Sequence, residues 1–431
     1  MRKQSSGNYI LGSVAVLVGA CIFSAAVGSA HAGAFAIREQ SAIGQGTSFA
    51  GMAATSGDLS NIFWNPATIT GVEGTQTQSV YSVIIPNSEL SNIQTTGAAA
   101  SGDPGQVGLS AFIPGSYASM QVTDDLFLGL SVNAPFGLAT KAHHNSATSF
   151  HSRTAGIKTI DVKATIGYRV NEMLSLGIGL GAQYLKVRMN SFPLASAGAH
   201  AKHELKGDSI EPNFTAGVNF TPWEGTDIGI GFRSAAFHVV DGTEALPNNT
   251  VTNVTAKLYM PETVSLGIRH RVNDAFTLMA GAEWTNWSRI GTSAINGSLA
   301  NTALALEYQD GWYTSAGMEY AYNDKLTLRT GIGYEFSPVQ DAHRNLRLPD
   351  ENRFWVSAGF SYQWNEELGF DFGYTHIFVE DAVVHAEKTS APASSYRADA
   401  ESRVDIISAS MRYQWKTEPM FAGDDPIVRK Y

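Results

Sequence analysis

Apolar and polar or small residues alternate along most of the chain from Thr75 to Trp415. Val356-Ser357-Ala358-Gly359-Phe360-Ser361-Tyr362-Gln363-Trp364 shows the pattern, and Leu176-Gly177-Ile178-Gly179-Leu180-Gly181 repeats it with glycine in every second place. A period of two puts successive side chains on opposite faces of a strand. The alternation predicts fourteen strands: Thr75–Ile85, Ala111–Val122, Leu126–Ala134, Arg153–Val170, Met173–Asn190, Lys206–Thr221, Thr226–Val240, Thr252–Arg271, Ala275–Ile290, Tyr308–Tyr322, Lys325–Phe336, Arg353–Trp364, Leu368–Glu387 and Glu401–Trp415. Most are too long for a soluble sandwich, where about five or six residues is usual.

The connections alternate between two kinds. Tight turns such as Thr123-Asp124-Asp125, Asn171-Glu172 and Asn323-Asp324 carry hairpin chemistry. Longer polar loops such as Pro86–Ser110, Lys141–Ser152 and Asp341–Asn352 lie between them. An even number of strands with short turns at one end and long loops at the other predicts an all-β fold, a 14-stranded antiparallel transmembrane β-barrel of the bacterial outer membrane. Both termini fall on the periplasmic side. Tyr168, Phe220, Trp223, Trp284, Trp287, Tyr320, Tyr322, Trp364 and Trp415 lie near strand ends, where aromatic girdles sit.

The stretch Gly33–Gly74 breaks the pattern. It is rich in small residues, nearly uncharged and without a sustained period. Inside a closed barrel such a segment is a short N-terminal plug, or hatch. Ahead of it, Arg2-Lys3, the apolar run Ile10–Val27 and Ala30-His31-Ala32 read as a signal peptide over residues 1–32. A lipoprotein signal ending at Cys21 is the competing reading. The domain plan is therefore signal peptide 1–32, hatch 33–74, barrel 75–415 and a periplasmic extension 416–431.

Composition narrows the function. Only 16% of residues are charged and the net charge is −10, which excludes a basic, phosphate-tracking surface and hence nucleic acid. Beyond the N-terminus there is no apolar run of about 18 residues, so helical spans are excluded. Cys21 is the only cysteine, so the mature chain would hold no disulfide and no cysteine-built zinc site. A second class, an outer-membrane lipid hydrolase, needs Ser, His and an acid on one face. The histidines instead scatter: His143, His144, His151, His203, His343 and His385 fall in or near loops, and no Gly-x-Ser-x-Gly elbow occurs. No enzyme activity, cofactor or metal is expected, although His143, His144 and His151 are the one histidine group with metal-binding potential.

Five segments occur in one order: Asn65-Pro66-Ala67; Asn133-Ala134-Pro135-Phe136-Gly137-Leu138; Pro261-Glu262 before Thr263–His270; Trp284-Thr285-Asn286-Trp287-Ser288; and Leu348-Pro349-Asp350-Glu351-Asn352-Arg353-Phe354-Trp355-Val356-Ser357-Ala358-Gly359. With them the chain resembles the FadL/TodX family of outer-membrane transporters for long-chain fatty acids and other hydrophobic compounds, over nearly the whole mature length. The resemblance implies a passive, monomeric diffusion channel in the outer membrane whose partners are a hydrophobic small molecule and membrane lipid. External loops capture the solute, the lumen holds it, and hatch movement releases it sideways. It implies gating by Asn65, Pro66 and Ala67 of the hatch and by Pro135, Phe136 and Gly137 at a kink in the third strand. It places Phe35 in the ligand pocket.

The family's carboxylate-binding cations align with Ser191 and Gln309, both uncharged here. Lys186 and Arg188 lie close by in the fifth strand. Its parity is read as turning Leu185, Val187 or Met189 to lipid and both cations inward, either toward a carboxylate ligand or toward Glu204, Asp208 or Glu211. Arg353 is read as a solvated or headgroup-facing cation rather than a ligand contact. An aromatic-hydrocarbon channel of the TodX branch stays open beside a fatty acid transporter.

Overall fold

In a computed structural model, residues 33–97, 102, 104–143, 146, 148–192, 202–299, 303–388 and 394–416 are described. The expected signal peptide and nearly all of the expected C-terminal extension lie outside these residues.

The strand segments are β1 (Thr75–Gly97), β2 (Ala111–Gln121), β3 (Leu126–Asn133), β4 (Gly137–Lys141), β5 (Thr154–Asn171), β6 (Leu174–Ser191), β7 (His203–Trp223), β8 (Thr226–Arg233), β9 (Ala236–Ala245), β10 (Val251–Met260), β11 (Thr263–Arg271), β12 (Phe276–Thr285), β13 (Thr292–Asn296), β14 (Ala303–Ala305), β15 (Gly311–Ala321), β16 (Leu326–Phe336), β17 (Arg353–Gln363), β18 (Leu368–Val379), β19 (Ala382–Lys388) and β20 (Ser394–Trp415). Six of these twenty, namely β4, β9, β11, β13, β15 and β19, continue the preceding segment past a break, which leaves fourteen staves. The ring closes where β1 pairs antiparallel with β20, from Thr75↔Trp415 to Gly97↔Ser394. Outside, Ile166, Ile178, Leu180, Phe214 and Ile230 belong to an apolar band, and Tyr168, Trp223, Tyr322 and Trp364 stand exposed by the tight turns.

Two expectations about strand extent are corrected. The loop expected over Pro86–Ser110 begins later, because β1 runs on to Gly97 against β20. There both faces of β1 carry polar side chains, so alternation fades while backbone pairing continues. Conversely, strands expected to be continuous over Thr226–Val240, Thr252–Arg271, Ala275–Ile290 and Leu368–Glu387 are interrupted. Pro261 explains one break, since it offers no N–H to a ladder.

The hatch fills the lumen with short capped turns. Helix α1 (Ala42–Gly46) begins where the Ser41 hydroxyl accepts from Gly44 N at 2.9 Å. A 3-10 turn over Leu59–Phe63 is capped by Asp58, and a second over Pro66–Gly71 by Asn65, with proline in the first helical position. Lumen-facing glycines let the hatch backbone approach the wall: a Cβ at Gly231 would meet the Trp64 carbonyl oxygen at 1.9 Å, and one at Gly229 the Ala53 carbonyl oxygen at 1.8 Å.

That fit generates a prediction. Gly231→Leu should leave the outer barrel intact and heat-modifiable on gels while forcing Trp64 and Asn65 off the wall. Tryptic cleavage at Arg38, slow in the native protein, should then become fast; unchanged protection would show that the contact is not needed.

Candidate functional site

Among the described residues, the ladder between the second and third staves is broken partway along. β3 pairs with β2 only over Ser116–Gln121, and beyond it the chain leaves the ladder at Ala134-Pro135-Phe136. β4 then pairs with β5, while Ala111–Gly115 of β2 pairs with β1 on its other side. The freed backbone groups find partners in the hatch. Ile37 N donates to the Pro135 carbonyl at 2.8 Å, and Gly137 N donates to the Phe35 carbonyl at 2.8 Å, so that Ala36 and Phe136 form an antiparallel bridge. The Gln40 amide donates to the Ala134 carbonyl at 3.0 Å. Phe136 N is held from the other side by the Thr159 hydroxyl at 2.9 Å. Residues 35–37 of the hatch thus act as a short piece of strand laid into the break.

Pro135, Phe136 and Gly137 lie at the break itself. Phe35 is buried beside them, with its ring edge-on to Trp287 at 4.6 Å and to Phe136 at 6.2 Å between centroids. Leu185, Leu258, Tyr308 and Leu348 complete this apolar cluster. Trp287 was expected in an outer girdle; instead it is 2% exposed and points inward, because a 3-10 turn at Trp287–Arg289 breaks the alternation after β12.

Asn65 ties the hatch together. Its side-chain oxygen accepts from Ala67 N at 2.9 Å, and its amide donates to the Ala53 carbonyl at 2.6 Å and to Val218 of the wall at 2.9 Å. Asn65, Pro66 and Ala67 are all buried against the barrel.

Sequence reasoning missed a buried charge cluster. Arg38 donates to Glu335 at 2.5 Å and to Glu283 at 2.7 Å, with its guanidinium 4.0 Å from the Tyr313 ring centroid. Arg353, expected to face headgroups, is 1% exposed, pairs with Asp350 and approaches Glu335 at 3.8 Å. The period-two register held the signal: Phe354, Val356 and Phe360 face lipid, so Arg353 must face the lumen. Burial lifts the carboxyl of neighbouring Glu39 to about 7, and neither of its oxygens has a hydrogen-bond partner.

Lys186 and Arg188 require a correction. Lys186 is exposed, Arg188 has a side chain 57% exposed and pairs with Glu204 at 2.7 Å, and Leu185 is wholly buried. Both cations therefore point outward. Leu176, Ile178 and Leu180 already fix the even positions of β6 as the lipid face, and the same parity carries up to Lys186 and Arg188.

Among the described residues no cluster of His, Cys, Asp and Glu is placed to hold a metal, and His144 lies outside them. The cleft bordered by Ala36, Arg38, Trp64, Pro135, Phe136 and Glu283 has a volume of about 30 Å³, room for a water or two.

A closed fourteen-stave barrel with an apolar outer band and an internal hatch is an outer-membrane protein of the transport kind. Residues 23–415 match the family described as outer membrane protein transport protein (OMPP1/FadL/TodX), and the chain belongs to that family, whose members carry hydrophobic compounds across the outer membrane. It is 24% identical to the long-chain fatty acid transport protein of Escherichia coli O6:H1, over 88% of this chain and 94% of that one. It is likewise 24% identical to outer membrane protein P1 of Haemophilus influenzae, covering 90% and 97%. Among solved structures, a Pseudomonas aeruginosa FadL homologue superposes with a TM-score of 0.81 at 21% identity, covering 88% of this chain and 99% of that one. The Ralstonia pickettii toluene transporter TbuX gives 0.63 at 17%, covering 87% and 99%.

Two predictions follow from how the hatch is held. Asn65→Ala removes the cap and both amide bonds at a cost of about 2 kcal/mol; a spin label at Ser56→Cys should report a more mobile hatch, and an unchanged spectrum would refute this role. Glu39 is raised above its ordinary value, so its protonated form is the one the fold favours: stabilisation is present below the unfolded value and lost as pH rises through about 7. The same label should be more mobile at about pH 8.5 than at about pH 5.5, with the difference abolished by Glu39→Gln.

Proposed function

We propose that this chain is a passive diffusion channel in which a hydrophobic solute enters from the long-loop side, lodges in the apolar cluster around Phe35, and leaves sideways through the wall at Pro135. The observation that carries this reading is the bonding of hatch residues 35–37 to the broken third stave. Withdrawing Phe35, Ala36 and Ile37 would open the wall and vacate the apolar pocket in one movement. Lateral exit suits such a solute. Each methylene returned to water would cost about 0.8 kcal/mol, and exit into the bilayer avoids that cost.

A long-chain fatty acid is the solute we favour. Arg347 lies beside Tyr308 at the edge of the apolar cluster, and among the described residues it makes no ion pair. A carboxylate would satisfy that guanidinium while its chain occupied the place held by Phe35. The relatives named as fatty acid transporters agree with this. An uncharged aromatic hydrocarbon is the second reading, favoured by the outward orientation of Lys186 and Arg188, which removes the two cations nearest the family's carboxylate position.

Two measurements test the proposal. Ala36→Cys with Phe136→Cys places a thiol on each side of the bridge; oxidation should cut uptake of labelled oleate and of toluene to that of cells lacking the protein, and reduction should restore it. Transport that ignores the crosslink would exclude hatch withdrawal at this point. Arg347→Ala should lower oleate uptake roughly tenfold, from loss of one charged hydrogen bond, and leave toluene untouched. Equal loss of both would favour a structural role, and loss of neither would favour the hydrocarbon reading.

A further inference from the structure

The outside of the barrel carries a basic patch in a register that sets like charges against each other. Lys158 of β5 lies directly opposite Lys186 of β6, and Arg188 of β6 lies directly opposite Lys206 of β7. Ile160 and Val162, Ile178 and Leu180, and Ile210 and Phe214 are exposed at even positions of these strands. The same parity puts all four cations on the outward face. Lys186, Arg188 and Lys206 are exposed, and Lys158 is half-buried beside Gly137, its partner on β4. Like charges directly opposite on one face destabilise a sheet, because their Cβ atoms are only about 5 Å apart.

Neighbouring carboxylates offset this only in part. Glu204 pairs with Arg188 and with Lys202, each at 2.7 Å. Asp208 lies across from Lys186, but Asp241 faces Asp208 from the next strand. Among the described residues, Lys158, Lys186 and Lys206 make no ion pair. The patch begins where the apolar band stops. Ile160, Tyr184 and Ile210 form the row beneath Lys158, Lys186 and Asp208, two residues or about 7 Å nearer the membrane centre. Gly156 lies opposite Arg188 and two residues above Lys158. A Cβ there would meet nothing nearer than 3.7 Å, so a shallow recess stands open between the two cations.

We propose that Lys158, Lys186, Arg188 and Lys206 bind the phosphate groups of an outer-leaflet glycolipid whose acyl chains lie along Ile160, Val162 and Ile210. A phosphate seated between opposed cations turns a repulsive pair into charge-assisted hydrogen bonds, and the lysine ammoniums have donors to spare. A doubly phosphorylated lipid suits both pairs at once. Free inorganic phosphate would fill only one and would gain nothing from the apolar row below. The bound lipid would stand beside the break in the third stave, since Lys158 is opposite Gly137. The proposal is independent of which solute the channel passes, or whether it passes one.

The test uses protein purified from outer membranes, stripped of lipid in detergent and titrated with lipid A, a doubly phosphorylated glycolipid, under native mass spectrometry. Lipid A should form a one-to-one complex, and lipid A freed of both phosphates should bind roughly tenfold more weakly. Lys158→Gln with Lys186→Gln should lose roughly tenfold in affinity for lipid A. Arg397→Gln with Arg403→Gln, at exposed positions on β20, should lose nothing. Millimolar inorganic phosphate should not displace the lipid. Equal binding of the two lipids overturns the proposal, as does no loss in the Lys158 and Lys186 variant or an equal loss in the β20 variant. Displacement by inorganic phosphate would mark a site for free anions and overturns it too. Should the Lys158 and Lys186 variant fail to assemble, the comparison of the two lipids on the wild type decides.

Discussion

A polypeptide in a bilayer has no water with which to satisfy its peptide groups, so every N–H and C=O must find a protein partner. Fourteen staves meet most of that demand by pairing around a closed ring, and where Pro135 takes the third stave out of register the pairing stops. The unmet groups there are met by Phe35 and Ile37 of the hatch. The rest of the structure depends on this arrangement. Because the wall borrows strand from inside, the inner segment has to be held at one height and one rotation, and the lumen is built to hold it there.

Three kinds of contact do the holding. Glycines bring the wall within reach of the hatch backbone at Trp64 and Ala53. Asn65 converts one side chain into a cap, a hatch crosslink and a wall contact. Arg38 and Arg353 anchor the upstream end in a cluster of carboxylates. The first two are neutral contacts, made by close packing and by hydrogen bonds. Buried ion pairs behave differently: breaking one partner away is costly, yet the intact pair adds little net stability over apolar packing. Such a cluster defines position more than it adds strength.

Much of this was legible in the residues. Alternation and the regular exchange of tight turns with long loops reveal the barrel, and a low-charge stretch without period reveals something enclosed by it. Pro135 marks the break, and Asn65-Pro66-Ala67 marks a buried turn of the hatch seated against β6 and β7. What escaped was orientation wherever the apolar band ended. Lys186 and Arg188 lie above that band, where lipid no longer makes one face apolar, and their direction follows only by counting up from Leu180. Arg353 follows by counting back from Phe354 and Val356. Trp287 escaped for another reason, since a 3-10 turn changes the side-chain period and no strand count survives it. The Glu335 and Asp350 contacts to the hatch join residues some three hundred positions apart, and no local pattern encodes them.

The bridge between Ala36 and Phe136 has a consequence for the cell as well as for the solute. An outer membrane is useful as a barrier only if a pore that admits grease does not also leak ions and small polar molecules. Here the hydrogen bonds that close the break at the third stave also join the hatch to the wall, so on the proposed route opening one moves the other. On the proposed exit route, each release event would also be a brief breach, lasting until a three-residue strand finds its place again. Selection on such a protein would act on the speed of reclosure as strongly as on affinity for the cargo.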